Sequence, residues 1–345
     1  MIDDRIVVRA PSNIALVKYM GKRDSEKNLP ENASLSLTLS SLCTFVELRR
    51  VNSGGIRLVA ERPASVGGEA PRISAAGEEK FLRHFARVQA RGPDLFARFG
   101  FTSREGDAAI EIRSANTFPA AAGIASSASS FAALTLATMG FLVKERDRFQ
   151  SEYGKNSDLR RALAALSREG SGSSARSFEG PFVAWTDDHS EKVESSLPPL
   201  SDLVVVVSGK EKSVGSSEAH RRVKSSPRWA GRIERANGRF EELRKALRLG
   251  DFSRVIELAR DDSKDMHTLF ETSNPPFSYF TDGTHAVLEF LAGESGCAVT
   301  MDAGPNVHVI VPQSEAELWR SKLTNRFPEY PLLVDREGTG AEFCR

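Results

Sequence analysis

The sequence has 345 residues, a length that suits two domains better than one. Hydrophobic residues make up 40% of it and charged residues 27%, so the chain can bury cores and keep a charged surface. The 47 basic and 46 acidic residues leave a net charge of +1. This balance argues against nucleic acid or an anionic membrane as the main partner.

Cysteine usage and apolar segments indicate the compartment. Cys43, Cys297 and Cys344 lie far apart in the sequence, so neither a disulfide framework nor a cysteine-rich zinc site is expected. The first five residues lack the apolar core of a signal peptide. The longest apolar helical stretch, 131–143, is shorter than the roughly 20 residues that cross a bilayer. We expect a cytoplasmic protein that uses no membrane.

The first half of the chain alternates strand and helix patterns. Period-two alternation predicts strands, and longer amphipathic stretches predict helices. The predicted strands are 34–40, 44–49, 56–59 and 109–113, with a turn at 52–55. A helix is predicted at 78–91, and another follows a loop at 119–130.

The second half begins after a polar stretch at 186–202, where we place the domain boundary. The N-terminal domain is predicted at 1–190 and the C-terminal domain at 191–345. Gly250 is expected to end an amphipathic helix at 229–247, and Asp251 to cap the next helix. Further strands are predicted at 203–207, 297–301 and 307–311, and further helices at 281–291 and 314–323. The predicted fold class is α+β in two halves.

The loop at 119–130 is rich in small residues and hydroxyls. Gly123 permits unusual backbone dihedrals, and Ser126 or Ser127 near a helix start would aim N–H groups and hydroxyls at an anion. No Gly-Lys-Ser/Thr follows, so this is not a Walker A loop. The composition is equally compatible with an Ala/Ser-rich helix that packs tightly on a sheet.

Three other segments carry groups suited to chemistry. The segment 170–180 surrounds Arg176 with hydroxyls, and an arginine fork matches a carboxylate or phosphate. A basic cluster at 18–24 can clamp a polyphosphate, and Asp302 opens a turn where its carboxylate can meet a substrate hydroxyl. Each has a plainer interpretation: a surface loop, a solvated charged face and a turn cap. The six histidines show no ligand spacing, so no protein-bound metal site is expected.

Read together, these segments resemble the superfamily of galactokinase, homoserine kinase and mevalonate kinase, and within it the diphosphomevalonate decarboxylase family. The matching stretches occur in the family's order and cover nearly the whole chain. They are APSNIALVKYMGKRD at 10–24, SLSLT at 34–38, NTFPAAAGIASSA at 116–128, REGSGSSARS at 168–177, DSKDMH at 262–267, PPFSY at 275–279 and MDAGPN at 301–306.

The resemblance implies an N-terminal α/β domain and a ferredoxin-like C-terminal domain, with the active site in the cleft between them. It also implies an ATP-dependent carboxy-lyase that phosphorylates the 3-hydroxyl of mevalonate 5-diphosphate. Loss of phosphate and carbon dioxide then gives isopentenyl diphosphate. Magnesium would arrive with the ATP, and the family suggests a homodimer that binds no nucleic acid.

The resemblance also assigns residues by position. The catalytic residues it implies are Asp302, which orients the 3-hydroxyl, Lys18, which faces the transferring phosphate, and Arg176, which grips the substrate carboxylate. Substrate-binding residues implied by the family are Tyr19, Lys22, Ser171, Gly172, Ser173, Arg221 and Arg222. ATP-binding residues implied by the family are Asn13, Pro119, Ala122, Gly123, Ile124, Ala125, Ser126, Ser127 and Ser129.

Some positions depart from the family pattern. Met20 stands where the family has tryptophan. Glu78 stands where the family's Asn-Gly-Arg-Glu segment has an arginine that can reach the diphosphate. The stretch 215–222 is one residue short around a substrate arginine, which is why Arg221 and Arg222 are both candidates. The candidate cations to replace the missing arginine are Arg72, Lys80 and Arg83.

Three alternatives stay open at this point. A relative acting on mevalonate 5-phosphate would also decarboxylate, and a mevalonate 3-kinase would phosphorylate without decarboxylating. A sensor that kept the fold but lost its chemistry would bind metabolite and nucleotide without turnover. The presence of both Lys18 and Asp302 favours the decarboxylase.

Overall fold

The computed structural model describes residues 4–104, 109–119, 126–210 and 213–344. Its strands are β1 Arg5–Val17, β2 Lys22–Asp24, β3 Leu29–Pro30, β4 Ser34–Val51, β5 Ile56–Val59, β6 Ala109–Asn116, β7 Phe182–Thr186, β8 His189–Val193, β9 Leu200–Val205, β10 Ala298–Thr300, β11 Val307–Pro312, β12 Leu332–Arg336 and β13 Glu342–Phe343. Its α-helices are α1 Ala75–Arg98, α2 Ser126–Leu142, α3 Arg146–Lys155, α4 Ser157–Arg168, α5 Ser216–Arg222, α6 Arg232–Leu249, α7 Phe252–Glu271, α8 Asp282–Ala292 and α9 Ala316–Arg326.

The first sheet is built around the long strand β4. One edge of β4 pairs with β1 along most of its length, and β13 pairs with the far side of β1. The other edge of β4 is shared, because its start pairs with β7 and its end with β6. Strand β8 extends the sheet beyond β7, and β5 extends it beyond β6. β4 is therefore one continuous strand, where two separate strands were predicted at 34–40 and 44–49.

The second sheet has the ferredoxin-like arrangement. Strands β9, β10, β11 and β12 are all antiparallel and lie in the spatial order β12-β9-β11-β10. Helices α6 to α8 fall between β9 and β10 in the chain, and α9 falls between β11 and β12. This is the split β-α-β motif doubled. The predicted α+β class and the ferredoxin-like second half are both confirmed.

Helix ends in the second half follow the expected signals. Gly250 adopts φ of 70° after α6, and this left-handed conformation is one that glycine adopts at little cost. The Asp251 side chain accepts a hydrogen bond from the backbone N–H of Arg254 at the start of α7. Helix α1 is longer than predicted and continues through Pro93.

The described residues form four apolar core clusters, and two of them involve the first sheet. Helix α2 is buried on nearly all sides against the first sheet, α1 and α4, as expected for a helix that is apolar all round. The second core joins the first sheet to α6, α7 and the second sheet: Ile14 and Leu37 from one side meet Val204 and Phe240 from the other. In the described ranges, no helix is long and apolar enough to cross a membrane.

The polar stretch at 186–202 contains structure. Strand β8 lies within it and pairs with β7 of the first sheet, so the predicted boundary after residue 190 falls inside a strand. Strand β13, near the end of the chain, also belongs to the first sheet through its pairing with Val8 and Arg9.

Candidate active site

A cavity of about 700 Å³ lies where the two halves of the molecule meet. The end of β1, the start of α2, the short 3₁₀ helix Gly172–Ser177 and the turn after β10 converge on it. The predicted site residues that line it are Asn13, Lys18, Tyr19, Lys22, Ser126, Ser127, Ser171, Gly172, Ser173, Arg176 and Asp302.

Lys18 and Asp302 form an ion pair on the cavity wall. The Lys18 Nζ donates to Asp302 Oδ1 at 2.8 Å, and the Lys18 side chain is only 2% exposed. Burial lowers the pKa of Lys18, and the attraction of Asp302 offsets this only in part. Burial acts to raise the pKa of Asp302, but the Lys18 ammonium outweighs it and holds that pKa below its usual range. Asp302 is therefore a carboxylate at neutral pH.

Arg176 presents a buried guanidinium to the same cavity. Its Nη1 donates to Ser34 Oγ at 2.8 Å, and its Nε donates to Ser36 Oγ at 3.1 Å. It forms no salt bridge with any carboxylate in the part of the chain that the structure describes. Burial lowers the pKa of Arg176 to about 10, so it remains charged at neutral pH. A buried cation held by neutral hydroxyls is suited to an anionic ligand.

Asn13 belongs to the Arg176 side of the cavity. Its side-chain oxygen accepts from Arg176 Nε at 3.4 Å. Its amide group donates to Ser177 Oγ at 2.9 Å and to the Ser173 carbonyl at 3.2 Å. Asn13 thus orients the guanidinium, although the resemblance placed it with ATP.

Hydroxyls cluster where α2 begins. Ser171 Oγ donates to Ser127 Oγ at 3.2 Å and lies 3.4 Å from Ser173 Oγ. The first N–H groups of a helix have no partner within it and attract anions, so this end suits phosphate oxygens. Serine hydroxyls are also acceptable magnesium ligands. Within the described ranges, no group of three or more His, Cys, Asp or Glu side chains is placed to hold a metal ion.

The far end of the cavity is basic. Lys22 and Lys80 lie close enough there for their charges to interact, and Arg72 and Lys210 also line the cavity. None of the four has a carboxylate partner among the described residues. Lys22 Nζ donates to Asn28 Oδ1 at 2.6 Å. Burial, and then the charge of Lys80, lower the pKa of Lys22 to about 8. Cations without counter-charges make this part of the cavity an anion site.

Tyr19 lies between the Arg176 and Lys22 regions. Its ring packs on Trp185 at 4.6 Å and on His220 at 4.4 Å between centroids. His220 Nδ1 accepts from the Gly21 N–H at 3.0 Å, and burial lowers the pKa of His220 to about 3. The buried Tyr19 hydroxyl has no hydrogen-bond partner within the described chain, and it is available to a ligand.

Other predicted site residues lie elsewhere. Arg221 is mostly exposed, and both Arg221 and Arg222 pair with Glu218. Ser129 is buried beneath the start of α2, where its hydroxyl lies 2.7 Å from Thr44 Oγ1. Pro119 is exposed and does not line the cavity. The predicted ATP-binding residues Ala122, Gly123, Ile124 and Ala125 lie outside the described residues.

The structure also adds residues that sequence reasoning missed. His220, Lys210 and Asn28 line the cavity. His220 directly precedes the two candidate arginines in the sequence. The stretch 215–222, which is one residue shorter than the family pattern, was the sequence feature that could have pointed to it. Neither Glu78 nor Arg83 lines the cavity: Glu78 is exposed in the first turn of α1, and Arg83 pairs with Glu79.

Two family models match the chain almost end to end. The model described as "Diphosphomevalonate decarboxylase-like N-terminal domain" matches residues 10–197. The model described as "Mevalonate 5-diphosphate decarboxylase C-terminal domain" matches residues 202–337.

Similar proteins agree with these models. The diphosphomevalonate decarboxylase of Danio rerio is 32% identical over 327 residues, which are 88% of this chain and 75% of that protein. The crystal structure of a mevalonate diphosphate decarboxylase from Legionella pneumophila is 34% identical, with a TM-score of 0.78 over 95% of this chain and 100% of that chain. A solved complex of a protein named MDDEF with MVAPP, AMPPCP and magnesium is 26% identical, with a TM-score of 0.79 and 99% of each chain covered. The two-domain kinase-superfamily fold expected from the sequence is thereby confirmed.

Proposed function

Because this chain belongs to the diphosphomevalonate decarboxylase family, we propose that it decarboxylates mevalonate 5-diphosphate with ATP. The products are isopentenyl diphosphate, ADP, phosphate and carbon dioxide. The observation that carries the proposal is one cavity that holds the Lys18–Asp302 pair, the unpaired Arg176 guanidinium and a basic end. A reaction on a carboxylic acid that also bears a diphosphate needs these three features together.

Substrate binding follows from the charges along the cavity. Arg176 binds the substrate carboxylate, because it is a buried cation whose protein partners are neutral. Lys22 and Lys80 bind the diphosphate at the opposite end, and Arg72 is a further cation on the cavity wall. The Tyr19 hydroxyl lies between these groups and donates to a substrate oxygen. The substrate is thereby fixed at both ends, which holds its 3-hydroxyl at the Lys18–Asp302 pair.

ATP binds at the start of α2. The hydroxyls of Ser126 and Ser127 and the helix N-terminus face its phosphates. Magnesium, when bound with ATP, neutralises phosphate charge, and the same hydroxyls are oxygen donors that can hold it. The use of ATP with magnesium is supported by the MDDEF complex, which contains AMPPCP, an ATP analogue, and magnesium together with MVAPP.

Phosphoryl transfer and decarboxylation then use the ion pair and Arg176 in turn. Asp302 orients the 3-hydroxyl and takes its proton as the hydroxyl oxygen bonds to the γ-phosphorus and the bond from that phosphorus to ADP breaks, while Lys18 stabilises negative charge on the transferring group. The C3–O bond of the phosphorylated tertiary alcohol breaks, and phosphate leaves with the electron pair. The electrons of the C–COO⁻ bond form the new double bond, and carbon dioxide departs.

The monophosphate alternative is disfavoured by the basic end. The main reason to consider it was Glu78, which lies outside the cavity, whereas Arg72 and Lys80 line it. A diphosphate carries more negative charge than a monophosphate, so it matches four cations without carboxylate partners better. Comparing kcat/KM for mevalonate 5-diphosphate and mevalonate 5-phosphate tests this choice. A higher value for the monophosphate would overturn it.

One assay separates the remaining functions. Purified protein is given ATP, magnesium and mevalonate 5-diphosphate carrying ¹⁴C at its carboxylate, and both ADP and ¹⁴CO₂ are counted. The decarboxylase releases the two in equal amounts. ADP without ¹⁴CO₂ would indicate a 3-kinase, and calorimetric binding of both ligands without either product would indicate a sensor.

Location, assembly and domain division are part of the same proposal. We place the protein in the cytoplasm as a homodimer whose two domains, predicted at 1–190 and 191–345, divide after β8, with β13 counted in the first domain. Three free cysteines support a reducing compartment, and family membership supports the dimer. Light scattering after gel filtration tests the dimer, fractionation of cells tests the location, and limited proteolysis between β8 and β9 tests the division.

A further inference from the structure

A buried ion network lies directly behind Lys18. Arg232 on α6 and Asp262 on α7 are both 0% exposed. The guanidinium binds the carboxylate with two bonds, Nη1 to Oδ1 at 2.6 Å and Nη2 to Oδ2 at 3.0 Å. Arg232 Nη1 also donates to Asp265 Oδ2 at 3.0 Å. Asp265 is held in turn by Arg235 and Arg239.

The same pair grips the backbone of Lys18. Asp262 Oδ2 accepts from the Lys18 N–H at 2.7 Å, and Arg232 Nη2 donates to the Lys18 carbonyl at 3.3 Å. Lys18 is the first residue after β1, so its N–H and carbonyl have left the strand pairing. The Lys18 N–H is therefore fixed by a side chain from the opposite half of the molecule, and its carbonyl is shared between Arg232 and Asn32 Nδ2, which donates to it at 2.9 Å.

A buried ion network of this kind costs desolvation free energy, so its presence calls for a functional reason. Removing two charges from water costs several kcal/mol each, roughly, and a well-packed apolar pair is often as stable. A bidentate pair does, however, fix geometry more tightly than apolar contact. The backbone that it fixes carries the ammonium bound to Asp302, which is held by the turn after β10.

We propose that Arg232 and Asp262 are positioning residues that hold the Lys18 backbone and so aim its ammonium at Asp302. The inference rests on the proposed function for the role of Lys18. Neither residue lines the cavity, so neither touches substrate. Their effect should appear in kcat, because Lys18 acts on the transferring phosphate, and little in KM, because Arg176 and Lys22 are untouched.

The charges around Lys18 give a test that a general loss of stability would not mimic. Asp302, Asp262, Arg176 and His267 interact electrostatically with its ammonium, and Arg232 lies behind Asp262. Asp262→Asn removes a negative charge and leaves Arg232 with Asp265 as its counter-charge, so the pKa of Lys18 should fall. Arg232→Met removes a positive charge and leaves Asp262 with Arg239 as its counter-charge, so the pKa of Lys18 should rise. Each shift should be about one unit.

The experiment titrates the ¹³Cε resonance of Lys18 in full-length protein labelled with [ε-¹³C]lysine, assigned through Lys18→Arg. The same variants are assayed for kcat and KM, and melting curves confirm folding. Asp265→Asn is the matched control, because Asp265 pairs with the same arginine but makes no hydrogen bond to Lys18 in the described structure. Arg232→Lys, which keeps the charge but lacks the fork, replaces Arg232→Met if the latter does not fold.

We expect Asp262→Asn and Arg232→Met to shift the Lys18 pKa in opposite directions and to lower kcat by roughly 10- to 100-fold. Arg232→Lys should lower kcat with little pKa shift, and Asp265→Asn should have the smallest effect on both. If folded Asp262→Asn and Arg232 variants keep kcat within about twofold of Asp265→Asn and leave the Lys18 pKa unmoved, the inference is wrong. Opposite shifts in a protein that releases no carbon dioxide would uphold the positioning role and reject the proposed function.

Discussion

Lys18 Nζ lies 2.8 Å from Asp302 Oδ1, although 284 positions separate the two residues in the chain. Lys18 follows β1 of the first sheet, and Asp302 follows β10 of the second. The pair therefore forms only when both halves are folded and packed. The ammonium keeps the carboxylate ionised, and the carboxylate offsets part of the effect of burial on the pKa of Lys18.

Asp302→Asn should fold and bind substrate but lose most turnover. The amide keeps the shape of the carboxylate, yet it cannot take a proton and leaves Lys18 without its counter-charge. We expect kcat to fall by about 10²- to 10⁴-fold while the Kd of mevalonate 5-diphosphate, measured by calorimetry, changes little. Asp282→Asn is the control, because Asp282 is exposed in the first turn of α8 and lies outside the cavity. Near-normal turnover in Asp302→Asn would contradict the assigned role.

Arg176→Lys should weaken binding of the acid substrate selectively. A lysine keeps one charge but loses the fork that Ser34 and Ser36 orient. Charge-assisted hydrogen bonds contribute enough that KM for mevalonate 5-diphosphate should rise roughly 10- to 100-fold, with KM for ATP unchanged. Arg160→Lys, at a half-buried arginine paired with Glu179, should change neither constant. Equal losses for both substrates would indicate a general defect.

Local patterns predicted much of the fold. The ends of α6 and α7 follow from Gly250 and Asp251, because a left-handed C-cap and a carboxylate N-cap are local devices. The continuity of β4 does not follow from local sequence, since alternation lapses at residues 40–43. The pairing of β4 with β1 breaks between Thr38 and Cys43, and there the Asp335 carboxylate accepts hydrogen bonds from the N–H groups of Ser40, Ser41 and Leu42.

The candidate site was likewise predictable from the sequence only in part. The resemblance to the family pointed to Lys18, Arg176 and Asp302, which all line the cavity. It could not determine which residue of α5 faces the cavity. Successive residues on a helix point about 100° apart, and packing on Tyr19 turns His220 inward while Arg221 faces solvent. Lys80 and Arg83 were both candidate cations on α1, and only the packing of that helix decides that Lys80 reaches the cavity.

The loss of charge from Lys22 at alkaline pH should lower kcat/KM. Its pKa lies near 8 in the folded protein, so it is charged below that pH and loses its charge above it. Because the charged form attracts the diphosphate, kcat/KM should fall as pH rises through about 8, while kcat at saturation stays flatter since bound substrate keeps the lysine protonated. Lys22→Arg should move this decline beyond pH 10, because arginine does not titrate there. A decline with the same midpoint in Lys22→Arg would assign it to another group.

Gly172→Ala should displace the Tyr19 ring, which lies against Gly172. A Cβ at this position would lie 2.7 Å from Tyr19 Cε1 and 3.0 Å from Trp185 Cη2, both closer than normal contact. Trp185 is fully buried and cannot move aside. The Tyr19 ring must therefore shift into the cavity, which disturbs its existing contact with His220. We expect a higher KM for mevalonate 5-diphosphate and a stability loss of about 1–3 kcal/mol.

The control is Gly154→Ala in α3, where a Cβ meets no other atom within 4 Å. This change should raise the melting temperature slightly, since alanine favours a helix by about 1 kcal/mol over glycine. KM should stay at the wild-type value. If Gly172→Ala kept both KM and stability, the Tyr19 ring would have to be mobile enough to accommodate the methyl group. Its packing against Trp185 would then not fix the position of the hydroxyl that we assign to substrate binding.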